Sequence, residues 1–161
     1  MPRFLAVAVT VAMVAWLATS CSSGPTTFAV TGSSVDPTHW CPGGAKDAPY
    51  DIHATIQAHN GTSGVVTIKS ITAEMTLASV TGSWLEKVGD HYDAGGVKFD
   101  PSSVTAGSSA TVRVTIPSSC TSGSYGSSQS SSGTYKVTMR VTTSAGAYTV
   151  SASNQHQILA T

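Results

Sequence analysis

The sequence predicts an all-β fold: a sandwich of roughly seven to eight short antiparallel strands behind an apolar N-terminal targeting segment. Three observations carry that prediction. Val, Ile and Thr alternate with polar residues, and beyond the targeting segment no stretch keeps a 3.6-residue apolar stripe. Clusters of Ser, Gly, Asn and Pro interrupt the alternation every 8–12 residues or so, roughly the spacing of turns in sandwiches. Only 10% of the 161 residues are charged and the formal net charge is zero, against roughly 25% charged residues in an average soluble domain. Disorder is excluded, because disordered segments carry high net charge and few β-branched residues. Nucleic acid is excluded as a partner, because no Lys/Arg cluster supplies an electrostatic footprint for phosphates.

Residues 1–20 read as a signal peptide. Met1-Pro2-Arg3 is a short basic start, Phe4 to Leu17 is almost wholly apolar, and Ala18-Thr19-Ser20 are small. The apolar run falls short of the about 20 residues a spanning helix needs. Leu17-Ala18-Thr19-Ser20-Cys21 resembles the lipobox of bacterial lipoproteins, whose cysteine is acylated, typically with palmitate, after cleavage. The family prefers Leu where Ala18 stands, and Ala18-x-Ser20 also suits an ordinary signal peptidase cutting the same bond. The resemblance implies a lipid on Cys21 and a membrane partner. Residues 21–25 then form a tether of at most about 14 Å, and residues 26–161 form the domain.

Cysteine parity agrees with lipidation. Three cysteines in an exported chain leave one odd thiol. With Cys21 acylated, Cys41 and Cys120 remain as a disulfide pair in an oxidising compartment. Such a bridge closes a loop of roughly 80 residues, worth about 4–5 kcal/mol in the chain-entropy account.

Along the domain, Thr26 to Thr31 is a first strand, followed by a loop from 32 to 49 that holds Trp40-Cys41-Pro42. From Tyr50 to Asn60, Tyr50, Ile52, Ala54, Ile56 and Ala58 share one face, and Asp51, His53, Thr55, Gln57 and His59 the other. Asn60-Gly61 turns the chain. From Val65 to Leu77 the apolar phase changes near Ser70, which predicts a bulge or a step between sheets. Ser83-Trp84-Leu85 reads as a short edge strand, Gly89 to Gly96 as a polar loop, and Val97 to Phe99 as another short strand. Ala110 to Ile116 alternates and is ended by Pro117. Residues 118–132 read as a flexible Ser/Gly loop, and two further strands cover Tyr135 to Thr142 and Tyr148 to Ser153.

Gly133-Thr134-Tyr135-Lys136-Val137 resembles the strand F pattern of immunoglobulin-like domains, Gly-x-Tyr-x-Cys, with Val137 in the place of the cysteine. The resemblance implies an immunoglobulin-like antiparallel β-sandwich. It also implies that Tyr135 hydrogen-bonds back across the corner before its strand. In such a sandwich the loops holding Cys41 and Cys120 lie at the same end, so the resemblance makes their bridge a staple between neighbouring loops.

No catalytic, cofactor or metal constellation emerges. His53 and His59 share a face but stand roughly 20 Å apart along a strand, which suits a solvated surface better than one ion. Asp51 and His53 could touch, yet a lone pair makes no site. Asp90-His91-Tyr92-Asp93 is the densest group of functional side chains. Its carboxylates suggest calcium and its Asp-His neighbours acid–base chemistry, while the plainer reading is a solvated loop tip. There is no Gly-x-Ser-x-Gly or Ser-x-x-Lys element for a hydrolase, and Cys120 lacks the His and Met of a copper site. Trp40, Trp84, Tyr92 and Tyr125 suit either a recognition surface or packing, with Trp40 over the disulfide and Trp84 at one end of the core. The candidate binding surface is therefore Trp84, Asp90, His91, Tyr92 and Asp93.

These readings describe a membrane-tethered, non-enzymatic binding or structural module at the extracytoplasmic face of the cell envelope, with an envelope protein or glycan as partner. The alternative is an accessory subunit or small envelope enzyme whose site a partner completes around Asp90-His91-Asp93.

Overall fold

The computed structural model describes residues 27–121 and 131–160. The signal segment, Cys21, the tether and Tyr125 lie outside the described residues. The strands are β1 (Phe28–Val35), β2 (Thr38–Cys41), β3 (Ala48–Asn60), β4 (Val66–Thr81), β5 (His91–Gly96), β6 (Lys98–Asp100), β7 (Ser103–Val104), β8 (Ser109–Cys120), β9 (Ser131–Thr143), β10 (Gly146–Ser151) and β11 (His156–Ala160). Among the described residues there is no helix, and so none long and apolar enough to cross a membrane.

One sheet has the order β1-β3-β8-β6. The other runs β2-β11-β9-β4-β5, with β10 on β9 and β7 on β4. This is the immunoglobulin arrangement, A-B-E-D facing G-F-C. The first strand is split: β1 pairs antiparallel with β3, and after Asp36-Pro37 the chain crosses so that β2 pairs in parallel with β11. Likewise β10 and β11 lie end to end along β9.

Alternation builds the core. Ile52, Ala54, Ile56 and Ala58 of β3 are buried, and so are Val112, Val114 and Ile116 of β8. Facing them are Ile71, Ala73, Met75 and Leu77 of β4 with Tyr135, Val137, Met139 and Val141 of β9. The phase change expected near Ser70 is a register shift between Ile68 and Ser70 against β9.

Several boundaries differ from expectation, for identifiable reasons. Pro117 does not end its strand. β6 pairs β8 only over Arg113 to Thr115, so beyond that point β8 has an open side on which a residue without an N–H is tolerated. Ser118 to Cys120 are thus strand, and so are Ser131 and Ser132, leaving a shorter connection than the loop expected over 118–132. The expected loop over Gly89 to Gly96 becomes edge strand β5 from His91 onward. Only Ala94 of this strand is buried, so it carries no apolar alternation, and its pairing to β4 supplies the order. Gly95, at φ 66° beside a register shift against β4, serves the bulge there. Conversely, Ser83-Trp84-Leu85 is irregular chain rather than an edge strand.

Candidate functional site

The Cys41–Cys120 disulfide joins the last residues of β2 and β8, with Cα atoms 5.8 Å apart. Both cysteines end strands instead of lying in loops, but they meet at one end of the sandwich, as the immunoglobulin-like arrangement implies. Beside the bridge is a cleft of about 170 Å³, lined by the disulfide, Ser118 and Ser119 of β8, Tyr92 of β5, Tyr135 of β9, and Trp84 and Glu86 from the β4–β5 connection.

Gly133 determines how that connection seats. A Cβ on Gly133 would fall 2.5 Å from Trp84 Cε2, so only a glycine lets the indole lie against β9. The Trp84 indole N–H donates to the Tyr135 hydroxyl at 3.0 Å. That hydroxyl donates in turn to the Glu86 carboxylate in a short hydrogen bond. Tyr135 thus bonds to a segment some fifty residues earlier, while the corner before its own strand lies outside the described residues. Burial, aided by the Glu86 acceptor and its charge, pushes the Tyr135 hydroxyl well above the usual tyrosine range.

The structure divides the five residues of the expected binding surface. Trp84 is half-buried against the core and Tyr92 is 43% exposed, and both line the cleft. Asp90, His91 and Asp93 do not line it. Strand alternation puts Tyr92 on the side of buried Ala94 and sends His91 and Asp93 to the other. Asp90 accepts the Lys87 backbone N–H at 2.9 Å, and Asp93 accepts that of Gly95 at 2.8 Å, so both carboxylates hold local turns. Trp40 is 64% exposed. Its neighbour Cys41 takes the inward position of β2.

The histidines are likewise dispersed. His53 Nδ1 lies 3.0 Å from Asp36, not Asp51, and His59 Nδ1 lies 3.0 Å from Ser109 Oγ. Among the described residues no three His, Cys, Asp or Glu side chains come together as metal ligands.

A second polar cluster carries no local signal in the sequence. His39 stacks on Tyr50 with centroids 3.7 Å apart, and the Tyr50 hydroxyl lies 3.2 Å from His156 Nε2. His156 Nδ1 is 2.7 Å from the Asp36 carbonyl oxygen. A carbonyl only accepts, so Nδ1 carries the proton and Nε2 accepts from Tyr50. Burial is the main cause that lowers the His156 pKa, the Asp36 carbonyl partly opposing it, and burial likewise raises Tyr50 to about 12. The ring is 1% exposed and ties β11 to β3 and to the crossover between β1 and β2.

Glu86, Ser118 and Ser119 were not among the expected site residues. Nothing within their own segments distinguishes them, and only the closure of the disulfide end brings them beside Trp84 and Tyr92.

No protein-family pattern matches the chain, and no curated protein matches it in sequence. Among solved structures it is similar to the major subunit of aggregative adherence fimbriae type I from Escherichia coli, at 11% identity and TM-score 0.36, over 83% of this chain and 95% of that one. It is also similar to a PapD-like domain of human CEP192, at 12% identity and TM-score 0.33, over 99% and 98%. A third is the CooA pilin subunit of enterotoxigenic Escherichia coli, at 11% identity and TM-score 0.29, over 81% and 98%. Likenesses this distant carry nothing about function.

Proposed function

We propose that the chain is a non-enzymatic binding or structural module of the cell envelope, held at the extracytoplasmic face of a membrane by a lipid on Cys21. The observation that carries this reading is the Cys41–Cys120 bridge. It uses two of the chain's three cysteines and belongs to an oxidising compartment. The remaining thiol is Cys21, directly behind an apolar segment with a basic start. A tether of about 14 Å would keep the sandwich against the bilayer. The enzyme alternative needs Asp90, His91 and Asp93 in one cleft. The ties of Asp90 to Lys87 and of Asp93 to Gly95 favour the module instead.

The test is fractionation of cells expressing the full chain and its Cys21→Ser variant. The wild type is expected in the detergent phase with an acyl increment in its mass, and the variant in detergent-free extracts without one. A variant that still partitions with the membranes would refute the anchor.

A further inference from the structure

The cleft at the disulfide end carries an exposed carboxylate, Glu86, with no cation beside it among the described lining residues. Among the described residues that line the cleft, Glu86 is the single charged one, and no Lys, Arg or His joins it there. The one ion pair found among the described residues, His53 with Asp36, involves neither Glu86 nor any other cleft residue. Three aromatic residues, Trp84, Tyr92 and Tyr135, line the same space. The chain of hydrogen bonds from Trp84 through Tyr135 to Glu86 fixes the carboxylate relative to two of the rings. Glu86 also adds to the burial that holds the Tyr135 and Tyr50 hydroxyls above their ordinary values.

Aromatic rings attract cations through their quadrupoles, Trp most strongly, and a carboxylate supplies the counter-charge. A cleft of about 170 Å³ suits a head group and not a polymer. We infer that this cleft binds a small organic cation of the quaternary-ammonium class, with Trp84, Tyr92 and Tyr135 as its aromatic lining and Glu86 as its counter-charge. The inference rests on the reading of the domain as a binding module and names its ligand class. It does not depend on the lipid. A neutral saccharide is the competing occupant, since Ser118 and Ser119 also line the cleft. It would gain little from the Glu86 charge.

The experiment is calorimetric titration of the full exported protein, in a non-ionic detergent, with choline chloride, with its neutral isostere 3,3-dimethylbutan-1-ol and with methyl glucoside. Choline should saturate one site, and the isostere should bind at least about tenfold more weakly because it lacks the charge. Glu86→Gln should weaken choline binding by about tenfold or more. Tyr92→Leu, outside the Trp84–Tyr135–Glu86 hydrogen bonds, should weaken it several-fold and serves if the first variant does not fold. Three results would each overturn the inference: no saturable choline binding, equal binding of the isostere, or glucoside binding that Glu86→Gln leaves intact. Cys21→Ser protein should bind choline as the wild type does. Lost choline binding with membrane partition intact therefore counts against the cleft alone.

Discussion

Replacing Gly133 with Ala probes a point where the cleft wall rests on bare backbone. The added Cβ would stand 2.5 Å from Trp84 Cε2, 2.6 Å from Nε1 and 2.7 Å from Cζ2, well inside the roughly 3.5–4.0 Å of ordinary contact. The backbone cannot retreat, because Gly133 is paired with Val80 of β4 on one side and Ile158 of β11 on the other. The indole must therefore move by about 1 Å, and its 3.0 Å hydrogen bond to Tyr135 is lost with it. Overpacking of this kind costs about 1–3 kcal/mol and the lost hydrogen bond about 1 kcal/mol. Against this, Ala restricts the unfolded chain and returns about 0.4–1 kcal/mol. The net loss is about 1–3 kcal/mol, which for a domain of this size lowers Tm by roughly 4–10 °C. Thermal melts by circular dichroism read the loss, and tryptophan emission should move to the red as the indole is released. Combining Gly133→Ala with Trp84→Leu should recover most of the difference, because the two residues are coupled through that contact. An unchanged or raised Tm with unchanged emission in Gly133→Ala would refute the reasoning.

Two further perturbations test the disulfide end and the buried histidine. Joint replacement of Cys41 and Cys120 by Ala releases a constraint spanning 79 residues. Losses of about 2–4 kcal/mol are typical of such bridges, so Tm should fall by roughly ten degrees, and a fall within melt reproducibility would deny the bridge its stabilising role. The His156 pKa is lowered in the folded chain, first by burial. The unfolded chain takes up this proton near its ordinary value of about 6.5, whereas the native ring does not until the pH is lower. The stabilisation is thus fully present above about pH 6.5 and is lost as pH falls toward the native value. Tm should decline more steeply between neutral and mildly acid pH for wild type than for His156→Gln, and parallel declines would contradict the assignment.

Much of the sandwich is legible from neighbouring residues alone. The alternation of Ile52, Ala54, Ile56 and Ala58, and of Tyr135, Val137, Met139 and Val141, reports which face is buried, since successive side chains of a strand point to opposite sides. The phase change near Ser70 is read the same way. It required no knowledge of β9, although it is against β9 that the register shifts. Cysteine parity pointed to the Cys41–Cys120 pair by simple count. By contrast, β5 and β2 lie at sheet edges where few side chains are buried, and their order comes from backbone pairing with β4 and β11, which leaves no mark on their own composition. Trp84, Glu86 and Tyr135 form one hydrogen-bonded unit across about fifty residues, as do Asp36, Tyr50 and His156 across more than a hundred. Within the sequence, then, lay the strands whose one face is apolar, because burial imprints a local period. The sheet edges, the cleft and the partners of its polar groups were decided only by tertiary structure, because contacts between distant segments impose no period on either one.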